Sequence, residues 1–322
     1  MTLTRSAFLL ALAAALAGCT STATSSAPLR VASYNIRLAT GDKGTPNAWD
    51  LRKDDLIAQI RKMDLDAFGM QEVRPEQAAF LRERLPEFEF VGEHRGPDRK
   101  SDEASPVFFR KDRFEALKSG TFWLSETPDV PGVKGWGAAC PRVCSWMWLK
   151  DKRTGKTFCF ANTHTDHVSA LARKEGMLLV VRRMAEFGAG APIVFTGDHN
   201  CRENEEPAQA VAKILKSTID VSETPPEGSW RTFNGWKFRE TEYSAADALK
   251  MPVHVRNARK GSPDADRDQN GNHRWEDCGP RIDYIYVSPG VRVKNVKTWN
   301  DVRPGTQLYP SDHFPITADI VL

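Results

Sequence analysis

Short apolar segments alternate with amphipathic ones along most of the chain, and this pattern constrains the fold more than any other feature. Residues 29–36 and 67–73 are strand-like apolar runs, whereas residues 50–63 and 75–85 carry apolar side chains at helical spacing. Several strands between residues 88 and 162 follow one another without a helix, which favours antiparallel pairing. The pattern predicts an α/β sandwich of two mixed, largely antiparallel β-sheets with helices packed outside.

The same alternation continues to the end of the sequence. Helices are predicted over residues 171–187 and 208–216, and strands over residues 192–196, 282–287, 291–298 and 315–321. Residues 241–280 are polar, rich in Asp and without periodicity, so we expect an inserted loop there. Because no linker interrupts residues 29–322, the sequence predicts one domain over that range.

The N-terminal segment resembles an export signal. Arg5 precedes an apolar run over residues 6–17, which is too short to span a bilayer as a permanent helix. Leu16-Ala17-Gly18-Cys19 resembles the lipobox of bacterial lipoproteins, and the alternative is an ordinary secretory signal with an incidental Cys. We therefore predict a signal peptide over residues 1–19, lipidation at Cys19 and a polar tether over residues 20–28. The expected product is an exported monomer, anchored by lipid to a bacterial membrane and facing the periplasm or the outside.

Five of the six cysteines follow the predicted lipidation site. Disulfides persist in exported proteins, so one or two bridges are expected among Cys140, Cys144, Cys201 and Cys278. The favoured pair is Cys201 with Cys278, since each adjoins a motif predicted to lie at one site. Cys159 lies in an apolar run and is predicted to be a buried free thiol. No two cysteines have the C-x₂-C spacing of a zinc site.

Polar residues that bind metals or move protons recur at the ends of the predicted apolar strands. A carboxylate or imidazole beside a buried strand is costly unless something pairs with it. Taken singly, each has a simpler explanation as a solvated cap or a hydrogen-bonded surface residue. Taken together, they predict a shared site at one rim of the sheets. They are Asn35, Glu72, His164, Asp198, Asn200, Asp283, Asp312 and His313.

The ordered set resembles the endonuclease/exonuclease/phosphatase superfamily, whose members have a DNase I-like fold. The resemblance covers residues 29–322, and the combination of G-D-x-N with S-D-H is specific. It implies a four-layer α/β sandwich and a metal-dependent phosphoric ester hydrolase. The matching motifs are S-Y-N ending at Asn35, Q-E-V around Glu72, N-T-H-x-D-H from Asn162, G-D-x-N around Asp198, R-I-D-Y-I around Asp283 and S-D-H-x-P from Ser311.

The resemblance also implies a metal site. Hydrolysis of a phosphoester needs neutralisation of the phosphoryl oxygens, an activated water and help for the leaving oxygen. Mg²⁺, or Mn²⁺ in its place, prefers oxygen ligands and keeps several waters, so a few protein oxygens suffice. Glu72 is the best candidate ligand, with Asn35 beside it and Asp312 as a further contributor.

Catalytic roles follow for the other motif residues. The resemblance implies that Asp198 orients or deprotonates the attacking water and that Asn200 holds either a phosphoryl oxygen or Asp198. It pairs His313 with Asp283, a carboxylate that would set the imidazole tautomer and raise its basicity. His164 would donate to a phosphate oxygen in the transition state.

Two further residues are candidate substrate contacts. Arg142 occupies the place of an Arg common in bacterial members and is predicted to bind substrate phosphate, unless it is simply exposed at a strand start. His167 is predicted to line the rim. The usual G-D-F-N reads G-D-H-N here, so His199 is expected to take over the packing of an aromatic ring, with a substrate contact as the alternative.

The sequence from Asp266 to Asp277 matches a calcium-loop pattern. Asp266, Asp268 and Asn270 alternate before Gly271, and Asp277 stands at position twelve. The last ligand is Asp rather than the longer Glu, and no flanking helices are apparent. Structural Ca²⁺ and a solvated acidic loop therefore both remain open.

Three functions are compatible with these features. The first is a phosphodiesterase, with an extracellular nuclease as the leading version, although the net charge of +3 neither requires nor excludes a nucleic acid. Four tryptophans could stack on bases or belong to the core: Trp123, Trp136, Trp146 and Trp148. The second is a phosphatase or phospholipase-type enzyme for a phosphoinositide, sphingomyelin or another small phosphoester. The third is a binding protein without catalysis, which the retained catalytic motif residues argue against.

Overall fold

A computed structural model describes residues 28–257 and 278–322. Its six helices and thirteen strands alternate as the sequence predicts. The helices are α1 (Trp49–Met63), α2 (Pro75–Arg84), α3 (Ala170–Phe187), α4 (Glu206–Ala212), α5 (Ala245–Leu249) and α6 (Val253–Arg256). The strands are β1 (Leu29–Asn35), β2 (Ala67–Gln71), β3 (Phe88–Val91), β4 (Val107–Arg110), β5 (Phe114–Trp123), β6 (Val143–Asp151), β7 (Thr157–His164), β8 (Ile193–Asp198), β9 (Lys216–Ser217), β10 (Glu227–Gly228), β11 (Asp283–Val287), β12 (Arg292–Thr298) and β13 (Ile316–Val321).

The strands form two mixed sheets. One has the order β10-β12-β13-β1-β2-β4-β3, and the other has the order β5-β6-β7-β8-β11-β9. Most neighbouring strands are antiparallel, and the parallel pairs are β1 with β2, β7 with β8, and β10 with β12. The prediction of two mixed, largely antiparallel sheets is confirmed.

Three apolar cores hold the layers together. The core between the sheets contains side chains from both, such as Val31, Phe158 and Ile285. A second core lies between the first sheet and helices α1 and α2, and a third lies between the second sheet and helices α3 and α4. The fold is therefore a four-layer sandwich of helices, sheet, sheet and helices, as the family resemblance implied.

The two sheets approach closely where β2 crosses β7 and β8. A side chain at Gly69 would overlap the side chains of Asn162 and Thr196, with contacts of 2.2 and 2.4 Å. The Asn162 amide nitrogen crosses the gap and donates to the carbonyl oxygens of Met70 and Pro106, at 2.7 and 3.0 Å. Because these polar groups are buried, the hydrogen bonds fix the position of one sheet on the other. The strand ends on both sheets are thereby held near each other.

Two predicted boundaries were wrong. The sequence predicts a strand over residues 121–124, but strand β5 already begins at Phe114, because its first half is exposed and polar and shows little apolar alternation. The helix predicted over residues 208–216 ends at Ala212, and Lys216 already pairs with Val287 in the second sheet. In both cases pairing with a neighbouring strand decided the backbone conformation, which local sequence does not reveal.

The cysteine predictions had mixed outcomes. Cys159 is a buried free thiol, as predicted. The favoured disulfide between Cys201 and Cys278 was wrong, and so was the expectation of one or two bridges among the four cysteines, because Cys140, Cys144 and Cys201 are all free thiols. Cys201 packs between the second sheet and its helices, whereas Cys278 packs in the core between the sheets. Proximity to one site in the sequence did not imply proximity of the two sulfurs.

Several predictions concern residues outside the described ranges. These are the signal peptide with Cys19, most of the polar tether, and the calcium loop of Asp266, Asp268, Asn270 and Asp277. Within the inserted segment, the described residues before position 258 form the short helices α5 and α6. Over residues 28–257 and 278–322, none of the helices has both the length and the apolar character needed to cross a bilayer.

Candidate active site

Strand pairing brings the motif residues to one end of the sandwich. Asn35 ends β1 and Glu72 follows the parallel strand β2, in which Gln71 is the partner of Asn35. In the second sheet, His164 ends β7, Asp198 ends the parallel strand β8, and the two are direct partners. The antiparallel strand β11 begins with Asp283, which is also a partner of Asp198.

The Asp198 carboxylate is the centre of the site. Its Oδ2 accepts a hydrogen bond from the Asn35 amide at 2.9 Å, and its Oδ1 accepts the backbone N–H of Asn200 at 3.0 Å. The same Oδ2 lies 3.5 Å from Nε2 of His164 and 3.6 Å from Nε2 of His313. Burial, and then repulsion by Asp283, raise the pKa of Asp198. It is thus a stronger base than an ordinary carboxylate and is close to two imidazoles.

His313 and Asp283 form a buried carboxylate–imidazole pair. Nδ1 of His313 lies 2.8 Å from Oδ2 of Asp283. Burial lowers the pKa of His313, but the carboxylates of Asp283 and Asp198 outweigh it and raise the pKa to about 10. The imidazole is therefore protonated at neutral pH and can place a positive charge beside a phosphoryl group.

Glu72 and Asp312 line the same cavity and offer oxygen ligands for a cation. The oxygens of Glu72 accept hydrogen bonds from the Asn35 amide at 3.0 Å and the Leu38 N–H at 2.9 Å. Burial, and then repulsion by Glu72, raise the pKa of Asp312, although His313 and Arg37 oppose them. Two buried carboxylates that repel each other fit a divalent cation, and an all-oxygen set suits Mg²⁺ or Mn²⁺.

Asn35 has a different contact from the one expected of a metal ligand. Its amide oxygen accepts the N–H of Arg37 at 3.0 Å, while its amide nitrogen donates to both Glu72 and Asp198. The only oxygen of this side chain is thus directed to the backbone. In this arrangement Asn35 positions two carboxylates relative to each other.

A second group of ligand atoms consists of Asp198, Asp283 and His313, which converge within 4.8 Å. This set has the composition of a metal site. The protonated imidazole of His313 already lies between the two carboxylates and compensates their charge. A cation at the same point would have to displace that proton, so the oxygens of Glu72 and Asp312 are the better candidates.

His164 is connected to Asn200 rather than to solvent. The Asn200 amide nitrogen donates to Nε2 of His164 at 2.9 Å and to the carbonyl oxygen of Thr165 at 3.1 Å. Because the Thr165 carbonyl oxygen can only accept, the Asn200 atom that faces it must be the amide nitrogen. Nε2 of His164 therefore accepts the other hydrogen bond of that nitrogen, and Nδ1 carries the proton. Burial, and then the charges of Arg142 and Arg95, hold the pKa of His164 well below its usual value. A neutral His164 can therefore donate to substrate only through Nδ1.

The site opens into a cavity of about 530 Å³. Its wall includes four residues that the sequence analysis did not select, namely Arg37, Glu103, Phe233 and Trp236. Glu103 lies 3.9 Å from Nδ1 of His164, and Arg37 lies 3.7 Å from Asp312. None of the four occupies a strand end, which was the signal that revealed the others.

Backbone conformation marks this cavity as unusual. Arg37, Glu72, Asn200 and Trp236 line it, and all have positive φ angles, between 47° and 64°. Residues with a Cβ adopt this left-handed conformation at a cost of roughly 1 kcal/mol or more each. Concentration of such residues around one cavity is typical of a functional site, where surrounding contacts hold side chains in a required direction.

Arg142 and His167 form one corner of the cavity, as expected for substrate contacts. Nη2 of Arg142 lies 3.0 Å from Nδ1 of His167, and only 5% of Arg142 is exposed. The alternative of an Arg exposed at a strand start is therefore wrong. Cys140 and Arg95 line the same corner.

His199 packs inward, as predicted, and does not contact the cavity. Its ring is fully buried and lies 4.8 Å from the ring of Phe195 and 5.5 Å from that of Tyr286. Neither ring nitrogen has a well-formed hydrogen bond within the described structure. Burial, which Asp283 and the Thr196 backbone oppose only in part, lowers the pKa of His199 to about 3.

Replacement of His199 by Phe will make the protein less sensitive to acid. The unfolded chain binds a proton at His199 below its usual pKa of 6.5, whereas the folded chain does not until about pH 3. Stability is therefore lost as pH falls from 6.5 towards 3, by about 2 kcal/mol between pH 7 and pH 5 from this residue alone. Urea unfolding at both pH values will show this loss in the wild type and a smaller one in His199→Phe.

The exposed His254 provides the control. His254→Asn is expected to keep the acid sensitivity of the wild type. Should the Phe ring prove too large for the site, His199→Leu tests the same point. Equal pH dependence in the wild type and in every His199 variant would contradict the buried neutral imidazole.

A two-sheet sandwich with acidic and imidazole side chains converging beside a buried aspartate defines a phosphoester hydrolase. The chain belongs to the Endonuclease/Exonuclease/phosphatase family, whose model matches residues 32–313. Members of this family typically depend on a divalent metal.

Solved structures show the same relationship. A mannosyl-6-phosphatase of Bacteroides thetaiotaomicron is 34% identical, with a TM-score of 0.74, over 91% of this chain and 100% of that chain. An endonuclease/exonuclease/phosphatase protein of Bacteroides vulgatus is 32% identical, with a TM-score of 0.75, over 92% and 99%. The human Nocturnin catalytic domain, with 19% identity, a TM-score of 0.61 and coverage of 92% and 93%, shares the fold. No curated protein matches the chain.

Proposed function

We propose that this protein hydrolyses a phosphate ester of a small, hydroxyl-rich compound, such as a hexose phosphate, with Mg²⁺ or Mn²⁺ as cofactor. The observation that carries the proposal is the cavity of small-molecule size in which the reactive side chains lie. Its volume of about 530 Å³ falls within the roughly 300–1,000 Å³ typical of small-molecule sites. The similarity to a mannosyl-6-phosphatase supports the same class of substrate.

Both cationic and aromatic side chains line this cavity. Arg142 supplies positive charge for a phosphate, whereas Phe233 and Trp236 supply aromatic surface. Phe233 is 36% exposed, and its ring lies 5.0 Å from the His313 imidazole. An apolar ring can pack against the C–H face of a sugar whose phosphate lies among the cationic groups.

A divalent cation held by Glu72 and Asp312 would neutralise charge on the phosphoryl oxygens. Protein side chains supply the proton acceptor and the positive charge that the reaction also needs. Asp198, with its raised pKa, orients the attacking water and accepts its proton. Protonated His313, held by Asp283, stabilises the negative charge that develops on the phosphoryl group.

Asn200 and His164 complete this arrangement. Asn200 holds Asp198 through its backbone N–H, and its side-chain amide donates to His164. The neutral imidazole of His164 has its Nδ1 proton free of any well-formed hydrogen bond within the described structure. That proton is the one His164 can donate to a phosphate oxygen. Asn35 positions the carboxylates of Glu72 and Asp198 on either side of the reacting group.

Nucleic acid, the leading substrate in the sequence analysis, receives less support from the tryptophans. Trp123 is fully buried, and Trp146 stacks on Phe187 at 4.3 Å with only 9% of its surface exposed. Trp148 packs against the same core. Trp136 is also partly buried against that core, and none of the four tryptophans lines the cavity, so we assign them to the packing of the fold. A nuclease remains a prediction that the assay below tests.

The predicted N-terminal signal adds a proposal on location. We propose that the enzyme is exported and held by a lipid at Cys19, so that it acts on phosphoesters outside the cytoplasm. Labelling of cells with radioactive palmitate, followed by isolation of the protein, will show incorporation in the wild type. Incorporation that persists in Cys19→Ala would contradict lipidation at this residue.

The substrate class can be tested with the purified full-length protein. Mannose 6-phosphate, plasmid DNA and sphingomyelin vesicles are incubated with Mg²⁺ or with EDTA, and released phosphate or cleaved product is measured. We expect the sugar phosphate to be hydrolysed at least about tenfold faster, as kcat/KM, than any bond in the DNA or the lipid, because the cavity has the volume of a small-molecule site. EDTA should abolish turnover.

Asp198→Asn, purified in the same way, is the control for contaminating phosphatase. Cleavage of plasmid DNA with no release of phosphate from the sugar would overturn the proposed substrate class in favour of the nuclease. Folded protein that hydrolyses none of these esters would overturn the enzyme assignment.

A further inference from the structure

Arg142 carries a buried charge for which the described structure provides little compensation. Only 5% of the residue is exposed, and Nε and Nη1 have no hydrogen-bond partner among the described residues. Its remaining nitrogen contacts the imidazole of His167 at 3.0 Å, and the Asp166 carboxylate lies 3.9 Å from Nε. A buried guanidinium without a hydrogen-bonded anion is costly.

Asp166 cannot supply the missing hydrogen bonds in this geometry. Its Oδ1 accepts the backbone N–H groups of Val168 and Ser169, and its Oδ2 accepts that of Ala139 at 2.9 Å. These contacts hold the carboxylate in the loop before α3. Asp166 therefore lowers the cost of burying Arg142 through its charge and leaves two buried guanidinium nitrogens without a hydrogen-bond partner in the described part of the chain.

Other buried arginines in the described structure donate to oxygens of the protein. Arg52 donates to the carbonyl oxygens of Ile36 and Pro310, and Arg281 donates to that of Trp230. Arg95 lies 3.0 Å from Glu103, and Arg256 forms two hydrogen bonds with Glu203. Arg231 is paired with Glu242 in the same way. The contrast indicates that the partner of Arg142 is not part of the protein.

The Arg142 side chain is close to the reaction centre. Arg142 lines the catalytic cavity, and its charge is one of the causes that lower the pKa of His164. Nε2 of His164 in turn lies 3.5 Å from Asp198. An anionic oxygen bound by Arg142 would thus lie near His164, whose imidazole is next to the Asp198 carboxylate that activates water.

We infer that Arg142 recognises the terminal oxygens of a phosphomonoester and thereby selects monoesters over diesters. This inference rests on the proposed phosphoester hydrolysis and specifies its substrate. A monoester carries a charge of about −1.5 to −2 at pH 7 and presents terminal oxygens to a guanidinium in bidentate fashion. A diester carries a single charge, and its second substituent replaces one of those oxygens.

The first test compares two chromogenic esters with the same leaving group. Values of kcat/KM for 4-nitrophenyl phosphate and bis(4-nitrophenyl) phosphate are measured with the full-length wild type and with Arg142→Gln. We expect the monoester value to fall about 30-fold or more and the diester value by less than about threefold. Arg142→Lys, which keeps the charge but loses the planar fork, should give an intermediate ratio.

Arg37→Gln is the matched control, because Arg37 lines the same cavity but lies 3.0 Å from Asp42 and 3.7 Å from Asp312. Its monoester-to-diester ratio should equal that of the wild type. An equal loss for both esters in Arg142→Gln would overturn the selectivity, since Arg142 would then act on a feature that both esters share.

The second test does not depend on turnover. Cys140 lines the same corner and is partly exposed, whereas Cys144, Cys159 and Cys201 are buried. Alkylation of Cys140 by N-ethylmaleimide, followed by peptide mass spectrometry in EDTA, should be slowed by inorganic phosphate and not by dimethyl phosphate. Arg142→Gln should abolish the protection.

The two tests separate the inference from the function on which it rests. Protection of Cys140 by phosphate, without hydrolysis of either ester by the wild type, would leave the anion site standing and overturn the proposed catalysis. Hydrolysis of the monoester without any protection of Cys140, or equal protection by dimethyl phosphate, would overturn the role of Arg142.

Discussion

Replacement of Asp198 by Asn will lower kcat about 1,000-fold or more without unfolding the protein. The side chain keeps its shape and one of the two hydrogen bonds that it accepts from Asn35 and Asn200, but it can no longer accept a proton from water. Stability should stay close to that of the wild type, because the loss of one hydrogen bond is offset by removal of a carboxylate whose charged form burial and Asp283 both disfavour. Steady-state kinetics and thermal unfolding of the same preparation will give both quantities.

The pH dependence of kcat in the wild type also tests the role of Asp198. The raised pKa of Asp198 shifts the acidic limb of the kcat profile above the usual range of a carboxylate. Activity should therefore fall as the pH drops through that shifted value, since protonated Asp198 cannot act as a base.

Asp319→Asn is the matched control for this substitution. Asp319 is buried to a similar degree, but it pairs with Arg30 at 2.7 Å in a part of the first sheet away from the site. We expect it to lower the unfolding temperature and to leave kcat unchanged. A variant of Asp198 that retained more than a tenth of the wild-type kcat would show that another group activates the water.

Replacement of Glu72 by Gln will raise the Mg²⁺ concentration required for half-maximal activity about 100-fold. The amide keeps one oxygen but loses the negative charge that a divalent cation requires, a difference of roughly 3 kcal/mol in binding. Titration of activity with Mg²⁺ will show this shift. At saturating Mg²⁺ the variant should recover much of its kcat, because Asp198 and His313 are intact.

Recovery of kcat at a high Mg²⁺ concentration distinguishes a metal ligand such as Glu72 from the residues that transfer protons. Asp198→Asn should remain inactive at every Mg²⁺ concentration, and the exposed Glu89→Gln should behave as the wild type. A titration of Glu72→Gln that superimposes on that of the wild type would exclude Glu72 as a ligand. Asp312 would then be the first alternative.

Much of the fold was predictable because its buried strands have strong local signals. The segments that became β1, β2, β8 and β11 are fully or almost fully buried and apolar, and the sequence predicted each of them. The first half of β5 was not predicted, because exposed strands on an edge carry few apolar residues. The end of α4 was misplaced for a related reason, since pairing of Lys216 with Val287 is a long-range contact.

The catalytic residues were predictable for a different reason. Polar groups at the ends of buried strands stand out in a sequence, and their order matched a family motif. Cavity residues in loops have no comparable signal in the sequence. Arg37 and Trp236 became apparent only from their position and their left-handed backbone, which neither residue type favours.

By itself, the sequence determined the alternation of strands and helices, the residues at the strand ends and the family to which the chain belongs. These are local properties, because periodicity and motif order depend on neighbouring residues. The tertiary structure alone decided that Asn35 faces two carboxylates, that Cys201 and Cys278 lie in different cores, and that Arg142 is buried with two nitrogens that have no hydrogen-bond partner among the described residues. Each of these depends on contacts between distant segments, whose geometry is set by how the two sheets pack on each other.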